Sequence, residues 1–128
     1  KKIILMKYIK FILCLLFGLM FINAGMDKFF HYMPMPELTE SMKKSFAAFE
    51  ELSWIMPLVG AVEIIGGALF IFPKTRALGA IVILPIMVGI VLHNFTKAPE
   101  GIVIALVFAA VNLWILIDNR KKYEALIS

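Results

Sequence analysis

The chain has 128 residues, of which 62% are hydrophobic and 17% are charged, with 13 Lys plus Arg against 9 Asp plus Glu for a net charge of +4. A soluble domain keeps roughly a quarter of its residues charged, so this composition excludes an ordinary water-facing surface and describes a membrane protein. The single cysteine, Cys14, excludes an intrachain disulfide and any Cys-x-x-Cys thiol shuttle.

A helix that crosses the hydrocarbon core needs about 20 mainly apolar residues, because lipid satisfies no backbone polar group. Four stretches meet or approach that length, at about 8–26, 54–72, 77–93 and 101–117. The fold expected from them is all-α: a single domain over 1–128 built as an antiparallel four-helix transmembrane bundle. The first span has a basic start, but its apolar run is too long for a signal peptide and no Ala-x-Ala site follows, so it is expected to be retained.

Counting basic residues gives the orientation. A cytoplasmic N-terminus puts Lys1, Lys2, Lys7, Lys10, Lys74, Arg76, Arg120, Lys121 and Lys122 inside, and leaves Lys28, Lys43, Lys44 and Lys97 outside. The positive-inside bias then makes both termini cytoplasmic. Topology accounts for the basic balance, and no basic stripe with interleaved aromatics points to nucleic acid.

The long connection 27–53 carries Pro34 and Pro36, and then Leu38, Met42, Phe46, Phe49 and Leu52 at helical spacing. With Thr39 or Glu37 near its start, it reads as an amphipathic helix at the outer interface. It either shields the bundle end or docks a partner.

Small residues mark where helices approach. Gly18 and Gly25 are seven apart, as are Gly60 and Gly67, while Ala105 with Ala109 and Gly79 with Gly89 mark the later spans. Pro85 predicts a kink in the third span.

Glu63 is the most informative residue. A carboxylate at mid-span costs about 2.5–3.5 kcal/mol on insertion scales, so it must find a partner, a proton or water. It shares a face with Gly60 and Gly67 and is expected to point to the bundle centre, level with Asn112 on the fourth span. The two are candidate hydrogen-bond partners, or they simply join two helices. Asn23, Asp27 and His31 recur every four residues beside Lys28, and His93 emerges at the same end, with Asn94 next to it. This outer group is either the exit into water or a polar mouth. His31 and His93 lack a ligand-spacing motif, so heme or another metal is not indicated.

The runs GLMFINAGMDKF at 18–29 and GAVEIIGG at 60–67, followed by a turn with Lys74 and Arg76, resemble the DoxX family of small four-span membrane proteins. The resemblance implies a multi-pass protein of the bacterial inner membrane and a link to membrane redox systems, including a thiosulfate:quinone oxidoreductase and partners of oxidative-stress enzymes. It marks Gly18, Gly25, Lys28, Glu63 and Gly67. The expected function is a subunit or accessory of a quinone-linked oxidoreductase, with a polar intramembrane pocket of Glu63, Asn23, Lys28, His93 and Asn112 that binds a ligand or relays a proton, and with Asp27 and His31 as an outer cluster. Quinone is the cofactor considered, and the lipid bilayer, a membrane or redox protein and further copies of the chain are the partners. The competing reading is a non-catalytic scaffold that docks a partner through its outer helix. A third, a carrier or channel, requires an oligomer, because four spans enclose little space.

Overall fold

The computed structural model describes residues 2–32 and 39–127. Among the described residues, six α-helices follow one another: α1 (Lys2–Phe30), α2 (Glu40–Leu52), α3 (Ile55–Ile71), α4 (Arg76–Thr96), α5 (Ile102–Asp118) and α6 (Arg120–Glu124), with a 3-10 turn at Pro99–Gly101 before α5. Helices α1 and α4 and the stretch Pro99–Asp118 are each long and apolar enough to cross a membrane, and α3 with α2 gives a fourth candidate span bent by 91° between the two. This is the expected all-α bundle. Leu58, Ile65, Leu78, Val88, Leu92, Val103 and Val107 all project outward, a belt that lipid tolerates and water does not.

Packing begins at the glycines. A Cβ on Gly18 would stand 2.6 Å from the Gly67 carbonyl oxygen, and one on Gly25 would stand 2.5 Å from that of Gly60. Equal seven-residue spacing on two antiparallel helices therefore brings α1 and α3 together backbone to backbone at two levels. Gly79 does the same for α3 and α4, where a Cβ on it would meet the Phe70 nitrogen at 2.6 Å and the Gly66 carbonyl oxygen at 3.0 Å, while a Cβ on Gly66 would meet the Ile83 side chain. Gly89 differs from expectation: nothing lies within 4 Å of its Cβ position, so it faces outward.

Helix α1 packs on α3, α3 on α4 and α4 on α5. Helices α1 and α5 close the ring through side chains. The Phe17 ring stacks at 4.4 Å on Phe70 and meets Phe108 of α5 edge-on at 6.1 Å, while Lys10 of α1 pairs with Asp118 of α5. Cys14, Phe21, Ala80, Ile83, Met87 and Ile115 complete the core around this aromatic junction.

The helix ends follow ordinary capping chemistry. Thr39 Oγ1 accepts from the Met42 N–H at 3.2 Å and starts α2, whose Met42, Phe46 and Phe49 are half-buried while Lys43, Lys44, Glu50 and Glu51 are exposed. Pro34, Pro36, Glu37 and Leu38 lie outside the described residues. Helix α1 continues beyond its expected end at residue 26, so Asp27 and Lys28 are helical, and His31 then turns left-handed at φ 52°. Helix α4 runs through Pro85 unbroken, with the proline on its exposed face.

The end of α3 is closed by its neighbour. Arg76 is buried, and its Nε and Nη2 donate to the carbonyls of Phe70 and Ile71 at 3.1 and 3.0 Å, while Thr75 Oγ1 donates to Leu69 at 2.7 Å. These are the carbonyls that a helix C-terminus leaves unpaired. Tyr123 of α6 donates to the Ala77 carbonyl at 2.8 Å, so the C-terminal helix meets the start of α4 at the same end of the bundle as Lys10 and Asp118.

Candidate functional site

Glu63 sits on the stripe Gly60, Glu63, Gly67 and Phe70, the buried face of α3, and is 2% exposed. Lys28 lies on the corresponding stripe of α1, with Phe21 and Gly25. Its Nζ is 2.6 Å from Glu63 Oε1. At that distance the ammonium and the carboxylate form an ion pair. Helical side chains slant toward the N-terminus of their own helix, and α1 and α3 are antiparallel, so Lys28 and Glu63 lean toward each other across the Gly25–Gly60 contact. The glycines remove the volume that would keep them apart.

A cavity of ≈ 300 Å³ opens beside the carboxylate, lined by Met20, Phe21 and Ala24 of α1, Glu63 of α3, Ile90 and Asn94 of α4, and Gly101, Ile104, Ala105 and Phe108 at and within α5. It exists because α1 and α5 touch only through side chains, and the Phe17–Phe108 contact leaves the space outside it unfilled. The walls are apolar except for Glu63 and Asn94. Asn94 donates Nδ2 to the Ile90 carbonyl at 2.8 Å, which turns its oxygen to the side of Gly101.

The structure brings together only part of the sequence-derived set. Glu63 and Lys28 form the pair. Asn23 projects from the exposed side of α1, where Tyr32 Oη donates to its carbonyl oxygen at 2.9 Å and also to Oδ1. Asn112 is 1% exposed but does not meet Glu63: its Nδ2 donates to the Ala80 carbonyl of α4 at 3.2 Å. Helix α5 packs on α4 rather than α3, so the nearest backbone to Asn112 is that of α4. There it lines a second cavity of ≈ 210 Å³ with Leu84, Met87 and Leu113. His93 is half-buried one residue before Asn94 and is not among the cavity walls, while His31 is exposed past the end of α1, its N–H on the Asp27 carbonyl at 2.7 Å. Among the described residues, no three or more His, Cys, Asp or Glu gather as a metal site.

Two residues acquire roles that the sequence reading did not give them. Asn94 continues the buried stripe Ile83, Met87, Ile90 of α4, and that spacing is the signal that would have preferred it to His93. Arg76 reads as a topology charge in sequence, and in the fold it is a helix cap.

An apolar helical bundle with three or four candidate spans and an internal ion pair beside a cavity defines a multi-pass membrane protein. The chain belongs to the MauE family, "Methylamine utilisation protein MauE", whose model matches residues 6–96. It is also 33% identical over 93 residues to "Uncharacterized protein YwoB" of Bacillus subtilis (strain 168), a match that takes in 67% of this chain. The chain spans 59% of the length of that relative. No solved structure matches it. The motifs at 18–29 and 60–67 thus lead to a membrane-protein family, and the family that matches is MauE.

Proposed function

We propose that this protein is an accessory membrane component of a redox-enzyme system and that its working site is the Glu63 cavity, which takes the ring of a quinone-class molecule. The observation that carries this reading is a buried carboxylate, held by Lys28, at the wall of an otherwise apolar cavity. An ionisable residue at membrane depth marks function by default, because insertion penalises it. The family is tied to methylamine dehydrogenase maturation, and a maturation partner in the membrane fits an accessory role. The DoxX-like motif is part of the same reading, since Gly18, Gly25, Lys28, Glu63 and Gly67 are the residues that build the pair and its glycine contacts. The basic ends around Lys7, Lys74 and Lys121 would face the cytoplasm.

The test is retention of a decyl-tailed benzoquinone and its reduced form by the protein in nanodiscs, relative to empty discs. Retention of at least one form that is lost in Glu63→Leu supports the site. Retention of neither form rejects it.

A second reading rests on α2. Its Lys43, Lys44, Glu50 and Glu51 are exposed while Met42, Phe46 and Phe49 are half-buried, so a charged face stands away from the bundle. Docking of a partner protein there predicts that reversing these four charges lowers partner yield in affinity capture, and an unchanged yield counts against it.

A further inference from the structure

We infer that the Glu63 cavity selects its ligand by a hydroxyl that the ligand donates, so that within the quinone class it holds the reduced quinol rather than the quinone, with the tail leaving between α1 and α5. This rests on the cavity being the working site, as proposed above. The argument is one of donors and acceptors. As the partner of the Lys28 ammonium, the Glu63 carboxylate accepts hydrogen bonds and donates none. Asn94 spends one of its two amide hydrogens on the Ile90 carbonyl and carries its Oδ1 toward Gly101, itself part of the wall, so its second amide hydrogen is the one side-chain donor among the lining residues and lies apart from Glu63 on α4. The remaining lining side chains bring no hydroxyl, ammonium, guanidinium or imidazole. The Lys28 charge is taken up by Glu63, so the pair is neutral as a unit and draws neither an anion nor a second cation.

A quinone presents only carbonyl oxygens, and one of them set against the Glu63 carboxylate leaves both acceptors unsatisfied. A quinol presents two hydroxyls, and an O–H to a carboxylate is a short, charge-assisted bond about twice as strong as a neutral one. The volume of ≈ 300 Å³ lies at the small end of ligand sites, enough for one ring but not for a long chain as well. The chain has an exit. Below the cavity, α1 and α5 are joined by Phe17 against Phe108 and by Lys10 with Asp118; at the level of the cavity, Met20 and Ile104 on the two helices are 49% and 62% exposed and flank a seam toward lipid.

Wild-type protein in nanodiscs is equilibrated without oxygen with decyl-benzoquinone, decyl-hydroquinone, the dimethyl ether of that hydroquinone, or hydroquinone lacking the tail, and the retained ligand is extracted and quantified. Decyl-hydroquinone should be retained at least about tenfold more tightly than the quinone or the ether. The tail-less ring should bind weakly. Glu63→Leu should remove the preference, and Ile104→Trp, a change at a lipid-facing position that fills the seam, should lower retention even if Glu63→Leu does not fold. Equal retention of quinone and hydroquinone, sensitive to either variant, overturns donor selection and leaves the site standing. Retention of the tail-less ring as tightly as the decyl form overturns the seam. Retention of no form, or retention indifferent to both variants, overturns the inference and the proposed site together.

Discussion

Gly25 and Gly60 meet backbone to backbone, and a methyl group on Gly25 would stand 2.5 Å from the Gly60 carbonyl oxygen and 2.7 Å from Ile64 Cγ1. The first obstacle is main chain, which cannot rotate away. Gly25→Ala is therefore expected to separate α1 from α3 and cost about 1–3 kcal/mol, the usual range for overpacking. Gly89→Ala meets nothing within 4 Å and should leave stability unchanged or raise it by up to about 1 kcal/mol through helix propensity. Unfolding curves of the two variants in mixed detergent micelles check the contrast. A Gly25→Ala curve that overlays the wild type would show that the helices part without cost.

Lys28 and Glu63 should respond asymmetrically to substitution. Lys28→Met strands a carboxylate that is 3% exposed, whereas Glu63→Gln strands an ammonium whose side chain is 21% exposed and can reach water. Breaking a buried pair costs about 3–5 kcal/mol, and the partial exposure of Lys28 places Lys28→Met near the low end. Glu63→Gln should cost clearly less, and the double variant Lys28→Met with Glu63→Leu should recover much of the loss, because two apolar groups leave no orphan charge. A double-mutant cycle from equilibrium unfolding gives the coupling directly. Additive single effects would mean that the two side chains do not act as a pair.

The bundle was legible because lipid imposes it: span length and the glycine spacing are both one-dimensional signals. The burial of Glu63 was legible because it shares a face with Gly60 and Gly67, whereas Lys28 was marked by the family-like motif and its pairing with Glu63 was not read from the sequence. Nor was the pairing of Asn112. Its position on the buried face of α5 follows from Ala105 and Ile115, but the choice between Ala80 of α4 and Glu63 of α3 depends on which helix lies alongside, and no local pattern encodes that. Asn23 was misleading in the other direction. It is four residues from Asp27, which suits a polar stripe, yet it lies two residues from both Phe21 and Gly25 and so on the opposite side of α1 from the packed face. The cavity itself has no sequence signature, because it is the gap left where α1 and α5 meet only by their side chains.

Tyr123 gives a pH dependence outside the spans. Burial pushes its phenol above the ordinary value of 10.0, because the phenolate loses hydration there; the neutral form donates to the Ala77 carbonyl at 2.8 Å, a bond the phenolate cannot make. With the folded pKa above the unfolded one, the contribution to stability is complete below the unfolded pKa and falls as pH rises through the folded pKa. Docking of α6 on α4 should therefore hold through neutral pH and weaken only above about pH 10. Absorbance titration at 295 nm, comparing wild type with Tyr123→Phe, should show one tyrosine titrating later than an exposed phenol. Loss of the contact at lower pH, or an unshifted titration, would contradict it.

Arg76 has two candidate roles, an inside charge that orients the protein and a cap for α3, and they separate under a conservative substitution. Lysine keeps the charge, so Arg76→Lys should leave the topology unchanged in reporter fusions at the α3–α4 turn. A cap needs the fork: Nε and Nη2 reach the Phe70 and Ile71 carbonyls at once, at 3.1 and 3.0 Å, and an ammonium on a flexible stem replaces that rigid geometry poorly. Arg76→Lys is thus expected to lose part of the capping stability, and Arg76→Met to lose more, with each carbonyl left unpaired costing about 1–3 kcal/mol. Hydrogen exchange at the last turn of α3 should rise in the same order, because the freed carbonyls no longer anchor that turn. If Arg76→Lys matched the wild type in both stability and exchange, the charge alone would account for the residue, and Thr75 Oγ1 on the Leu69 carbonyl would be the remaining side-chain closure of the helix.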